Sequence, residues 1–149
     1  YNGGEYGDYW DVLFTAPAAT DSAEFAQEVL YLVNVQRANN GLSPVVLGDE
    51  KLNAAAQQRA VEIATVTSHT RPDGTSCFTV LDDFNVTDEA TGENAAWGQV
   101  TPEEVVNDWM NSEGHRANIL NPDAHKMGVG YYSDISSEWG RQWIQIFTE

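Results

Sequence analysis

The sequence predicts an α+β layered domain in which helices flank a small, mainly antiparallel sheet. Three observations carry that reading. Apolar residues recur at helical spacing over two early stretches, 25–36 and 52–64. Residues 101–104, Thr-Pro-Glu-Glu, form a strong helix start. Beyond Pro122 the apolar period changes to two, the period of strands.

The elements follow in chain order. Residues 1–20 mix Gly, Tyr and Asp without helical period and read as an arm or linker, with Trp10, Val12 and Phe14 available to dock on the domain at 21–149. Asp21 with Glu24 has the form of a capping box. Phe25, Val29, Leu32, Val33 and Gln36 then mark the stripe of the first helix, and Gly41 supplies a left-handed C-terminal cap. A short apolar piece, Val45 to Leu47, precedes Asp49, a second N-cap candidate. Leu52, Ala55, Ala56, Arg59, Ala60, Ile63 and Ala64 trace the next helix, whose alanine-rich face permits close packing.

Residues 68–74, SHTRPDG, form a turn by their Pro-Asp-Gly. Residues 77–84 favour a short helix, and 85–91 are read as strand leading into Gly92-Glu93-Asn94. Thr101 caps a helix whose apolar face is Val105, Val106, Trp109 and Met110. Met127, Val129 and Tyr131 alternate, as do Trp143, Gln145 and Phe147 against Ile144 and Ile146. These two runs predict an antiparallel pair joined by the polar loop SDISSEWG.

Composition bounds the function. A chain of 149 residues with 42% hydrophobic content supports one real core, burying roughly 68–70% of its unfolded surface. Its 23 acidic against 7 basic residues give a net charge of −16, which repels phosphate backbones and argues against nucleic acid as a partner. With Cys77 as the one cysteine, no internal disulfide forms. No 18-residue apolar run is present, so no transmembrane segment is expected. The chain opens on Tyr1 with no signal peptide, the start that processing would leave, and export is not readable from composition.

Chemistry-bearing residues are few. His69, His115 and Glu93 stand where rigid elements are expected to hand over to loops. Two imidazoles and a carboxylate on one cavity would suit zinc or a similar cation. No HExxH spacing is present, and on residues alone a hydrogen-bonded structural cluster is favoured over a metal site. Cys77 reads as a buried structural cysteine. Neither Ser68 nor Ser112 sits in a nucleophile elbow, and no phosphate loop or dinucleotide fingerprint appears. Glu93 with His69 or His115 could serve as an acid–base pair.

In order along the chain, EVLYLVNVQRANNGLSPV, LNAAAQQRAVEIA, SHTRPDG, GENAAWG, TPEEVVNDWMNSEGHRANILNP and GVGYY resemble a bacterial member of the CAP superfamily, which holds cysteine-rich secretory proteins, antigen 5 and plant pathogenesis-related proteins of group 1. The resemblance runs from about residue 25 to 147. It implies a three-layer α–β–α sandwich, an extracellular or cell-envelope address, and a cavity lined by two histidines and two acids that in some members holds a divalent cation. His69, Glu93 and His115 match three of the four positions, with His69 and His115 as the metal ligands and zinc as the leading cation. The second acid falls on Glu113, one position beyond the family spacing from Trp109, where Ser112 stands. The resemblance further implies a non-enzymatic domain that binds a protein, cell-wall or small lipid-like partner. The alternatives are a peptidase-like hydrolase using Glu93 with His69 or His115, a lipid or sterol carrier, and a structural module of the envelope. Arg116 is expected to pair with a carboxylate or cap carbonyls, Asn94 and Asn118 to hold backbone, Ile119 and Leu120 to be core, and Trp97 and Trp109 to pack, with either free to line the groove.

Overall fold

The structure is a computed structural model describing residues 18–149. It contains α1 (Ala18–Asn39), β1 (Val46–Leu47), α2 (Glu50–Glu62), α3 (Thr79–Asp83), β2 (Ala90–Trp97), α4 (Pro102–Met110), α5 (Glu113–Ile119), β3 (Lys126–Ser133) and β4 (Arg141–Thr148). The four strands form one sheet in the order β1-β3-β4-β2. β3 and β2 pair antiparallel with β4, and the two-residue β1 pairs parallel with β3, so the sheet is mainly antiparallel as expected.

The strand period explains the layers. On β4, Trp143 and Phe147 pack with Val29, Val33, Val105, Trp109 and Ile119 of α1, α4 and α5. Ile144 and Ile146, one residue out of phase, pack with Leu52, Ala55, Ala60, Val80 and Leu81 of α2 and α3. Both faces of the sheet are therefore buried, and the architecture is the expected α–β–α sandwich. Phe25, Tyr131 and Trp143 join α1 to the sheet with ring centroids 4.6 to 5.3 Å apart.

On the other face α2 lies directly on the strand backbone. A methyl group added at Gly128 would meet the Leu52 carbonyl, and one at Gly130 the Ala56 carbonyl. The alanines of α2 and the glycines of β3 thus allow the close approach. α2 also completes the edge of β3 that the short β1 leaves open. The Gln57 side-chain amide donates to the Tyr131 carbonyl (2.8 Å) and accepts from the Tyr131 N–H (3.0 Å).

Several local expectations need adjustment. α1 is already helical at Ala18, so Asp21 lies inside the helix and not at its N-cap. Within the predicted arm, Trp10, Val12 and Phe14 lie outside the described residues. On α1 the stripe continues from Val29 and Val33 to Arg37, which is 2% exposed, whereas Gln36 is half-buried. Four-residue steps carry the buried face to Arg37. The helix ends as predicted at Gly41, whose φ of 76° permits the Gly41 N–H to Ala38 and Leu42 N–H to Arg37 closing bonds. α2 ends at Glu62, before Ala64. Residues 85–89 are not strand: Asn85 has φ 60°, and β2 opens only at Ala90. The Thr101 cap holds, its hydroxyl accepting from the Glu104 N–H, while the Glu104 carboxylate reaches back to the Val100 N–H at 2.8 Å. α5 is a separate short helix that the apolar pattern did not announce.

Candidate functional site

The site forms where α2, the 68–77 turn, β2 and α5 meet. Glu93 lies in the middle of β2, not at an element junction as expected. The strand's period places Glu93, Ala95 and Trp97 on the α2 face and Asn94 and Ala96 on the other. β2 is an edge strand, and its outward carbonyls are occupied by side chains. Asn118 Nδ2 donates to the Glu93 carbonyl (3.3 Å) and Trp109 Nε1 to the Ala95 carbonyl (3.0 Å). α4 and α5 are thereby fixed along this edge.

The Glu93 carboxylate is 5% exposed at residue level and fully engaged. Oε2 accepts from Arg59 Nε at 2.8 Å, and Oε1 accepts from Arg59 Nη2 at 3.2 Å and bonds His69 Nδ1 at 2.8 Å. Arg59 is fully buried on α2, and its remaining donors go to Glu62 Oε1 (2.8 Å) and the Ser68 carbonyl (2.9 Å). Glu62 in turn accepts from Arg71, which also pairs with Asp83 and donates to Thr79. A buried chain of Arg and Glu therefore runs from α3 to β2 and clamps the turn that carries His69. Arg71 N–H to the Thr75 carbonyl, Gly74 N–H to Arg71 and Cys77 N–H to His69 close that turn.

Electrostatics follow from this wiring. Burial alone would raise the Glu93 carboxyl, but the hydrogen bonds from His69 and Arg59, with the Arg59 charge, hold it below the ordinary carboxylate value. Its hydrogen bond raises the His69 imidazole above the usual histidine value against partial burial. His115 moves the other way: burial lowers it first, and the nearby His69 charge lowers it further. His69 keeps an exposed side chain, 57% accessible, and its Nδ1 is committed to Glu93, so Nε2 is the nitrogen left for a ligand.

His115 sits in α5, half-buried, and its carbonyl accepts from Asn94 Nδ2 at 3.1 Å. Asn94 also bonds Gln145 Oε1 (3.0 Å) and accepts from Asn118 (2.9 Å), an amide network seating α5 on the sheet. Asn94 and Asn118 therefore both hold backbone, as expected. Arg116 donates to the Met110 carbonyl (3.2 Å), the capping role foreseen for it. Ile119 is fully buried, and Leu120 is half-buried. Trp109 is core, whereas Trp97 is half-buried with its Nε1 on the Ile63 carbonyl. Glu113 is exposed at the first turn of α5 and makes no ion pair among the described residues. His125 is exposed beside β3 and away from the cluster.

Two participants were not anticipated in their roles. Arg59 was visible only as a charge inside an alanine stripe, the signal of a buried residue that needs an anion. Cys77 is buried as expected, but its sulfur joins donor atoms of His69 and Glu93 within 4.8 Å of one another. Burial, followed by the Glu93 charge, raises its thiol to about 11, so it is a thiol and not a thiolate at neutral pH.

The pattern of the cysteine-rich secretory protein family, CAP, matches residues 30–147. The chain belongs to that family. This CAP domain is 39% identical over 132 residues to YkwD of Bacillus subtilis, covering 87% of the chain and 51% of YkwD. It is 30% identical over 105 residues to the membrane protein YlbC of the same organism, covering 70% of the chain and 30% of YlbC. The chain thus spans about half or less of these relatives. Among solved structures, an extracellular protein containing an SCP domain from Bacillus anthracis superposes on the CAP domain with a TM-score of 0.75 at 24% identity, over 91% of this chain and 45% of that one. An outer surface protein from Borrelia burgdorferi gives 0.71 at 21% identity, over 83% of this chain and 90% of that one. These likenesses bear on the fold. No helix among the described residues is long and apolar enough to cross a membrane.

Proposed function

We propose that this chain is an exported or envelope-associated, non-enzymatic CAP domain that binds a ligand or partner at the His69/His115 opening and holds a divalent cation, zinc foremost, between the two imidazoles. The observation that carries the reading is the 2.8 Å bond from Glu93 to His69 Nδ1, with Glu93 itself fixed by buried Arg59. A carboxylate on one ring nitrogen sets the tautomer and orientation that a metal-binding imidazole needs on the other. In this reading His69 and His115 would hold a borderline cation and Glu93 would orient His69; the donor atoms that lie within 4.8 Å of one another among the described residues are those of His69, Cys77 and Glu93, without His115. When bound, the cation would act as an electrophilic anchor for a partner's oxygen or nitrogen donor. Glu113, two positions before His115 and exposed, is the candidate for the second acid in this reading.

Calorimetric titration with zinc tests this on wild type and on His69→Ala/His115→Ala. Saturable heat in the first and its loss in the second is the expected result; equal heats remove the metal. Affinity should fall as pH is lowered and the imidazoles protonate, His69 first because its hydrogen bond to Glu93 raises it.

The His69–Glu93 bond also favours a second reading, a hydrolase in which the pair moves a proton. Against it, Arg59 neutralises the carboxylate and keeps it a poor base. Turnover of peptide or cell-wall substrate that is abolished by Glu93→Gln in a folded protein would establish the hydrolase.

A further inference from the structure

A hollow whose lining includes no histidine lies where the end of β2, the exposed face of α4 and the β3–β4 loop meet. It is a groove of about 610 Å³ whose lining includes Trp97, Gln99, Glu104, Asn107, Asp108 and Trp139. Glu104, Asn107 and Asp108 share one helix face by their three- and four-residue spacing. Trp97 is fixed by its bond to the Ile63 carbonyl (2.9 Å). Trp139 is 54% exposed and makes no hydrogen bond or ring contact among the described residues. None of the lining residues is basic. Each carboxylate has one oxygen engaged, Glu104 with the Val100 N–H and Asp108 with Gln99 Nε2, both at 2.8 Å. The second oxygen of each has no hydrogen-bond partner among the described residues.

We infer that this groove binds an organic cation, the arginine or lysine side chain of a basic partner segment, against the two indoles and the two carboxylates. Trp gives the strongest of the cation–π contacts, and a guanidinium has both the flat face for an indole and the donors for carboxylate oxygens. Two acidic charges without a basic neighbour in the groove, on a chain of net charge −16, disfavour an anion. Such a site uses none of His69, Glu93 or His115 and does not depend on a metal there.

The indole N–H signals of the five tryptophans report occupancy and place at once in a nitrogen-labelled sample of the whole chain. Titration with a tetra-arginine amide at roughly 100 mM salt, where long-range attraction is screened, should give saturable shifts at Trp97 and Trp139. Trp139→Ala, an exposed position, should weaken binding about two- to fivefold. Glu104→Gln/Asp108→Asn keeps the capping and Gln99 bonds and should weaken it as well. Circular dichroism checks that both variants are folded. The inference is overturned if no signal saturates, if the shifts spread over other acidic surface without these indoles, or if Trp139→Ala binds like wild type. It is overturned equally if a neutral sugar, chitotetraose, saturates the same signals as strongly, since that would make the groove a glycan site.

Discussion

Arg59 Nε stands 2.8 Å from Glu93 Oε2, and both side chains are sealed from water, at 0% and 1% exposure. This contact joins the second helix to the edge strand at the base of the candidate site. A buried pair of this kind is costly to break one-sidedly, because the surviving charge has nowhere to go. Arg59→Ala is therefore expected to lose about 3–5 kcal/mol of unfolding free energy. Urea denaturation measures it; a loss within about 0.5 kcal/mol, the scale of ordinary surface changes, would show that the pair is not buried as described.

The two histidines should titrate on opposite sides of the unperturbed value, about 6.5. In metal-free protein, proton NMR should place His69 above it and His115 below it. Raised in the folded state, His69 contributes stability present below the unfolded pKa and lost as pH rises through the folded one. Lowered in the folded state, His115 contributes stability that is lost as pH falls through its own folded value. Glu93, also lowered, loses its contribution only in acid, below the ordinary carboxylate range. Glu93→Gln should bring His69 down; an unmoved His69 would mean that the carboxylate is not its partner.

Gly130 has no room for a side chain, since a methyl group there would strike the Ala56 carbonyl. Gly130→Ala should cost about 1–3 kcal/mol by forcing α2 off the sheet. Thermal unfolding reads this directly, and an unchanged midpoint would contradict the packing of α2 on β3.

Arg37 is 2% exposed and spends its donors on carbonyls, those of Ser43, Ile119, Asn121 and Ala124, at 2.8 to 3.4 Å. It ties α1 to the segment leaving α5. Arg37→Met strips buried acceptors of their partner and should cost at least about 2 kcal/mol. Amide exchange should quicken over residues 119–124 before the rest of the domain.

Cys77 should resist iodoacetamide in the native protein at pH 8 and react promptly in urea. Its 5% exposure and a thiol raised to about 11 leave little thiolate to attack. Fast labelling of the folded chain would show the turn opening readily.

Much of this architecture was legible in the chain because it is carried by short-range signals. The Asp49 and Thr101 caps, the Gly41 terminus and the out-of-phase pairs Trp143/Ile144 and Ile146/Phe147 each follow from a few adjacent residues. His69, Glu93 and His115 were singled out as a set by the ordered motifs of a family, since spacing alone does not bring positions 69 and 115 together; of these the structure bonds His69 to Glu93. What escaped depends on partners distant in sequence. Arg59 stands in the apolar stripe of its helix with no visible partner until Glu93 arrives, and Arg37 looks like a solvent-facing charge until the 119–124 carbonyls do. Glu93 was expected at a junction because the strand was read over residues 85–91, leading into Gly92-Glu93-Asn94. In the structure the strand runs through Gly92, which makes room for Asn118, whose amide a Cβ would strike.

β4, the last strand of the domain, lies inside the sheet between β3 and β2 rather than at a margin. During synthesis β2 and β3 must therefore wait for their central neighbour. Until then the helices have no finished surface to rest on, and β2 and β3 each offer an open flank to other chains. The domain is consequently built to fold after its final residues emerge, and loss of even the closing segment, where Phe147 and Thr148 are fully buried, would leave no smaller version of it to survive.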